Sequence, residues 1–170
     1  MERTGTAHVL PEDVDTDQIL PGEYLGTVPN EELGEYAMSG YDEAFAEELV
    51  EGDVVVAGRN FGLGSSREAA PIALRNAGVG AVVAESFARI FYRNAINVGL
   101  PIATVEGITD HVSDGDTVRV DVGRGEVENV TTGETFASSS LPPKLLDVLE
   151  AGGLVAYRRR EREEGADTSV

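Results

Sequence analysis

Three glycines, two serines and two arginines crowd into one short stretch, Gly58-Arg59-Asn60-Phe61-Gly62-Leu63-Gly64-Ser65-Ser66-Arg67-Glu68, and together they suit the binding of a small anion. Arg67 offers a planar fork of donors that matches a carboxylate or phosphate. The glycines allow a tight backbone turn. The elements on either side would aim these groups. Val54-Val55-Val56-Ala57 is an apolar run that reads as a buried strand, and Glu68 to Ala77 reads as a helix. A helix N-terminus presents free N–H groups and a partial positive charge, both favourable to an anion. The stretch therefore reads as an oxyanion-binding strand-turn-helix with a candidate serine beside the anion.

A second reading is structural, because Ser65-x-x-Glu68 has the spacing of a capping box. With Ser65 as cap, Pro71 would fall beyond the first turn, where its missing N–H and ring clash cost up to ~3 kcal/mol. A later helix start would leave both serine hydroxyls free. Three familiar loops do not fit. A dinucleotide fingerprint needs a third glycine where Arg67 stands, a P-loop needs a lysine that is absent, and the hydrolase elbow needs glycine two residues after its serine. With His8 and His111 the only histidines, a serine–histidine pair has little support.

The stretch from Asn60 to Glu68 resembles the serine loop of the swivelling domain in the aconitase superfamily. Three further segments agree in order and spacing: Asp13-Val14-Asp15-Thr16-Asp17-Gln18-Ile19-Leu20-Pro21-Gly22-Glu23-Tyr24-Leu25, Glu85 to Asn97, and Val98-Gly99-Leu100-Pro101. The pattern is similar to the stand-alone small subunits of isopropylmalate-type dehydratases, in their short archaeal form. The resemblance implies an α/β fold, a swivelling β/β/α three-layer domain over residues 1–157. It implies reversible dehydration of a hydroxy acid, with a [4Fe-4S] cluster carried by a large partner subunit in a heterodimer or heterotetramer. It places Ser65, as an alkoxide base, and Asp17 in catalysis. It places Ser66, Arg67, Thr16, Leu25, Gly26 and Thr27 at a hydroxy di- or tricarboxylate substrate. Leu63 and Ala69 depart from the residues common in such loops and bear on packing rather than chemistry.

Composition agrees with a one-domain subunit. At 170 residues and 41% hydrophobic content the chain can build a sizeable core. No apolar run has membrane-span length and no signal peptide follows Met1, so a cytoplasmic protein is expected. Zero cysteines leave no thiolate for a cluster or a disulfide, so any cluster must come from another chain. Thirteen basic against thirty-one acidic residues give a net charge of −18, which argues against nucleic acid as a partner. Nine acids and no base lie between Glu31 and Asp53. They read as an adaptation to high salt or as an acidic partner-binding face.

Along the chain, residues 5–10 suggest a first strand. Asp13, Asp15 and Asp17 have the opening spacing of a calcium loop, but Gln18 and Tyr24 stand where its glycine and glutamate belong; turn-tying roles suit Asp13 and Asp15 equally. Residues 30–38 and 41–50 read as short acidic helices burying Leu33, Tyr36, Ala37, Phe45 and Leu49. Val79–Ala84 and Leu100–Val105 read as strands around an amphipathic helix, Phe87–Asn97, with Phe87, Ile90, Phe91 and Ile96 in the core. A meander over 117–122, 126–130 and 134–137 precedes a helix at 144–151 and a last strand at 154–157. Residues 158–170 form a charged, solvated tail.

Three functions fit: an isopropylmalate dehydratase small subunit, a homoaconitase or methylmalate-type subunit, and a non-catalytic anion-binding regulatory subunit. If the acids between Glu31 and Asp53 are a salt adaptation, the unfolding temperature should keep rising in KCl beyond about 1 M, where the Debye length has already shrunk to about 3 Å. A flat or falling melting curve would mark a partner face instead.

Overall fold

The computed structural model describes residues 1–167. The chain runs β1 (Glu2–Leu10), α1 (Thr16–Ile19), 3-10 turns at Gly22–Tyr24 and Asn30–Tyr36, α2 (Phe45–Glu48), β2 (Val54–Ala57), α3 (Ala69–Asn76), β3 (Ala81–Ala84), α4 (Arg89–Asn97) and β4 (Ile102–Thr104). A 3-10 turn at Ile108–Asp110 leads to β5 (Thr117–Asp121), β6 (Glu126–Asn129), β7 (Glu134–Ala137), α5 (Pro143–Ala151) and α6 (Leu154–Asp167). The strands lie in the order β4-β3-β2-β1-β5-β6-β7.

β1 divides its length between two ladders. Ala7 to Leu10 pair in parallel with β2, while Glu2 to Thr6 pair antiparallel with β5. The two sheet parts expected as separate layers are thus joined through one long strand, which begins at Glu2 rather than residue 5. In the parallel part, every residue of β2 and β3 is buried, because helices on the faces of a parallel sheet leave no solvated side. In the antiparallel part, β5 and β6 alternate buried and partly exposed residues, the mark of a sheet with one wet face. Asn129 is fully buried there; its amide donates to His111 O and Asp116 Oδ2 and accepts from Thr131 and Thr132 N–H groups. A buried amide so fully bonded fixes the end of β6 against the preceding loop.

Four expectations change. The segments at 30–38 and 41–50 form a 3-10 turn and a four-residue helix; Leu33, Ala37 and Phe45 are buried, whereas Tyr36 and Leu49 are only partly so. Ile90 is 51% exposed rather than in the core, since α4 buries Phe91, Ala95 and Ile96 and Ile90 lies off that face. Leu154–Tyr157 is not a strand but the first turn of α6. Four residues cannot distinguish the two periods, and Leu154 and Tyr157, three apart, pack on the core as helical neighbours. The boundary expected after Tyr157 therefore falls inside one helix, and of the expected tail only 168–170 lie outside the described residues. Among the described residues no helix is long and apolar enough to cross a membrane.

At the start of β2, Asp53 is 5% exposed and ties three segments together. Its carboxylate is 2.7 Å from His8 Nε2 and accepts from the Thr6 and Val50 N–H groups. Burial pushes its acidity down, but these hydrogen bonds outweigh burial and hold the pKa below the ordinary 3.8. A native pKa below the unfolded one gives stability that is complete above about pH 4 and lost as the pH falls through the native value. Asp53→Asn should therefore lower stability at neutral pH and flatten the acid limb of a pH-dependent unfolding series; an acid limb identical to wild type would show that Asp53 does not contribute.

Candidate active site

The serine loop leaves the carboxyl end of β2 and is stitched on both sides to chain far away in sequence. On one side, the N–H groups of Asp13, Gly62 and Thr16 donate to Arg59 O, Val14 O and Leu63 O at 2.8, 2.7 and 2.9 Å. On the other, Phe61 N–H donates to Ser86 O at 3.1 Å, Ala88 N–H to Phe61 O at 3.0 Å, and Asn60 N–H to Ser86 Oγ at 2.8 Å. Asn60 Nδ2 also donates to Asp13 Oδ1 at 2.9 Å. Asn60 and Asp13 both have left-handed backbones, φ 58° and 57°, a conformation that Asn and Asp tolerate better than other side chains. The loop, the N-terminal motif and the Glu85–Asn97 segment thus form one body.

Phe61 is the plug of that body. It is fully buried and meets the rings of Phe87 and Phe91 edge-on, at centroid distances of 6.1 and 5.2 Å. Gly62 follows at φ 83° under Phe91, where a methyl group would lie 2.2 Å from Phe91 Cγ. No other residue fits at this point.

The helix start bears on whether Ser65 is a cap. α3 begins at Ala69, with Glu68 as its N-cap residue and no side-chain cap bond. Pro71 is then the third helical residue, where a missing N–H costs nothing because first-turn N–H groups are unpaired in any helix. Ser65 and Ser66 are exposed ahead of it, and neither hydroxyl is bonded to another described residue. The capping reading of Ser65 is accordingly set aside.

Arg67 folds back from the loop with its side chain 24% exposed, and Nη1 donates to Asp17 Oδ1 at 2.5 Å. Its guanidinium lies along Gly22, where a methyl group would sit 3.7 Å from both terminal nitrogens. Asp17 is 69% exposed, so the pair is open to solvent and an incoming carboxylate can replace Asp17 on the fork. Thr16 is buried, its Oγ1 close against Gly64. The other acids of the motif have structural partners: Asp15 caps α1 in a reciprocal box with Gln18, and Asp13 holds Asn60.

The segment after Gly22 carries the remaining expected residues. Leu25 is half-buried and its N–H returns to Gly22 O at 3.1 Å. Gly26 is exposed with open space around it, at φ 73°, so bulk is tolerated there but any side chain strains the backbone. Thr27 Oγ1 is taken up by Glu23 O at 2.8 Å. Tyr24 stacks on Tyr36 at 4.1 Å, and partial burial together with Glu23, Tyr36 and Glu43 raises its phenol above the ordinary 10.0. Gly22, Asn60, Ser86 and Phe91 were not recognised as site-building residues from sequence. An asparagine between β2 and a glycine-rich loop is the one local signal that could have marked any of them.

The histidines belong elsewhere: His8 pairs with Asp53, and His111 Nδ1 lies 3.2 Å from Glu134. Among the described residues no group of three or more His, Cys, Asp or Glu is placed to hold a metal ion. With no cysteine in the sequence, the chain offers no thiolate ligand for an iron-sulfur cluster.

The Aconitase C-terminal domain family matches residues 37–106, the stretch that holds β2, the serine- and arginine-bearing loop, α3, β3, α4 and β4, so the mixed-sheet fold is that of an aconitase-type domain. The chain is 53% identical to "3-isopropylmalate dehydratase small subunit 1" of Methanopyrus kandleri, over 92% of each chain. It is 49% identical to the "Isopropylmalate/citramalate isomerase small subunit" of Methanocaldococcus jannaschii, over 89% of this chain and 90% of that one. The crystal structure of a 3-isopropylmalate dehydratase from the same organism superposes with a TM-score of 0.92 at 44% identity, over 99% of this chain and 100% of the other. The chain belongs to the 3-isopropylmalate dehydratase small-subunit family.

Gly62→Ala should cost about 2–5 kcal/mol, combining a left-handed backbone with overpacking against Phe91. The check is thermal unfolding, where a loss of several degrees is expected; an unchanged melting temperature would show that the loop is not clamped by the aromatic cluster.

Proposed function

We propose that this chain is the small subunit of a 3-isopropylmalate dehydratase, interconverting 2-isopropylmalate and 3-isopropylmalate with a large subunit. The observation that carries the reading is a Ser65 hydroxyl with no partner among the described residues, two residues from an Arg67 fork held among them only by an exposed Asp17. Arg67 takes the substrate carboxylate and also stabilises charge that develops on it. Ser65, as an alkoxide, removes the proton from the carbon beside that carboxylate. The C–H electrons form the double bond as hydroxide departs from the adjacent carbon; rehydration reverses these steps with the two carbons exchanged. A serine hydroxyl is too weakly acidic for this unaided, so the arginine and the backbone N–H groups ahead of α3 must favour its ionised form. Ser66 supports the substrate, the buried Thr16 supports the loop beside Gly64, and Asp17 receives Arg67 between turnovers.

The [4Fe-4S] cluster, which would activate the leaving hydroxyl, is assigned to the large subunit, because this chain has no cysteine. The assembly is a cytoplasmic heteromer, and the acidic surface is read as salt adaptation. The space at Gly26, with no charged group within 4 Å of a Cβ placed there, favours the branched apolar group of isopropylmalate over the extra carboxylate of a homoaconitate-type acid, whose burial without a partner is unfavourable. A citramalate-type acid, named for the 49% identical relative, is the second substrate this space admits, underfilled by roughly 1–3 kcal/mol per missing methylene.

Reconstitution with the large subunit under anaerobic conditions tests the assignment. Ser65→Ala should remove orders of magnitude from kcat while leaving substrate binding largely intact, whereas loss of a helix cap would cost only about 1 kcal/mol of stability. Arg67→Lys should raise KM and lower kcat together, since a point charge cannot replace the fork. Turnover of isopropylmalate by the single chain, or near-normal kinetics for both variants, would overturn the reading.

A further inference from the structure

Met38 is fully buried, yet its backbone is left-handed, φ 61°. Among the described residues only two other non-glycine residues share that conformation, Asp13 and Asn60, and they hold each other in the serine-loop body. Aspartate and asparagine tolerate this region, whereas a bulky side chain there is an outlier. Strain of this kind persists only where the surrounding structure over-determines it.

At Met38 the surrounding structure is α1. Met38 N–H donates to Ile19 O at 2.7 Å and Gly40 N–H to Gln18 O at 3.1 Å, while Tyr41 and Asp42 N–H both return to Met38 O and close the turn. A methyl group at Gly40 would lie 2.3 Å from Asp17 O and 2.8 Å from Gln18 Cα. The Gly40 backbone is not left-handed, so glycine is required there for its close approach to Asp17 and not for its backbone angle. α1 has four residues, too few to persist as a helix by itself. On its other side, Thr16 N–H donates to Leu63 O and Thr16 Oγ1 lies close against Gly64. α1 is therefore pressed between the serine loop and the Met38–Gly40 turn, and the turn touches the very residue whose carboxylate takes the Arg67 fork.

We propose that Met38 and Gly40 are positioning residues for that fork: they fix α1 through Asp17 and Gln18, and through Asp17 they fix the direction of Arg67. The inference rests on the proposed function, in which Arg67 takes the substrate carboxylate. Misplacement of a binding group by a fraction of its own size is enough to slow a reaction that depends on orientation. A side chain added at Gly40 acts on turnover only by way of Asp17.

Two measurements test this. In the isolated chain, amide hydrogen exchange followed by NMR should be at least tenfold faster in Gly40→Ala at Thr16 and Gly62, whose N–H groups tie the N-terminal motif to the serine loop. Exchange at Phe61 and Ala88, tied to the Ser86 side, should be unchanged. In the enzyme reconstituted with the large subunit, Gly40→Ala should lower kcat/KM for isopropylmalate about tenfold. In an Asp17→Ala background the same substitution should lower it less than twofold further, because coupled residues are not additive. Met38→Gly frees the turn without pushing on Asp17 and should give both results at smaller size, whether or not Gly40→Ala folds. Asp42→Ala, which removes a side-chain bond to Ala44 N–H on the far side of the turn, should keep wild-type kcat/KM. Unchanged exchange at Thr16 and Gly62 in both turn variants would overturn the positioning role. An equal loss of kcat/KM with and without Asp17 would overturn the route through Asp17. Absence of isopropylmalate turnover by the wild-type reconstituted enzyme would overturn the proposed function instead, a failure the exchange measurement on the isolated chain does not share.

Discussion

The active loop depends on the seating of Phe61 and Gly62 between two remote backbone segments. A glycine-rich loop with two exposed serines has little reason to hold one shape by itself, because glycine loses more conformational freedom on ordering than any other residue. Six main-chain N–H donations, from Asp13, Gly62, Thr16, Phe61, Ala88 and Asn60, supply the missing constraint, and the Phe61–Phe87–Phe91 cluster keeps water from competing for them. Such bonds are worth only about 0.5–1.5 kcal/mol each. Their geometry matters more than their sum, since together they set where Ser65 and Arg67 leave the protein surface.

The electrostatics of the site follow from that seating. Arg67 is a cation in a chain of net charge −18, and its fork meets Asp17 only because the N-terminal motif is tied to the loop beside it. Exposed pairs of this kind contribute little stability. In the proposed function Asp17 accordingly keeps the guanidinium aimed until a substrate carboxylate takes its place. Gly22 leaves room along the guanidinium for this exchange.

The division of β1 between two ladders explains how one small domain carries both a deep parallel core and a partly wet antiparallel meander. Ala7 and Leu10, in the half facing β2, are buried, whereas Glu2, Arg3 and Thr4 beside β5 are exposed. The parallel part places three loops at the ends of β2, β3 and β4, where ligand sites of α/β sheets collect. The antiparallel part closes on the buried Asn129 and brings no expected site residue to that end.

The sequence by itself displayed the candidate loop and all seven strands, along with an eighth at 154–157 that the fold does not contain. Serine, arginine and glycine at Gly62–Arg67 announced anion chemistry, and the runs at 54–57 and 81–84 announced buried strands, because type and spacing are local properties that a linear reading captures. The alternating 117–121 and 126–129 stretches were equally legible for the same reason. What needed the folded chain was everything decided by packing. Ser65 has the spacing of a cap, but Glu68 takes the N-cap position; Ile90 has the spacing of core, but Phe91 sets the buried face of α4; Leu154 to Tyr157 could be a strand, but Leu154 and Tyr157 pack as neighbours on one turn. Asp17 meeting Arg67, fifty residues on, and Phe91 closing over Gly62 could not be read locally at all. Such contacts are chosen by which elements bury against each other, and that is a property of the whole chain.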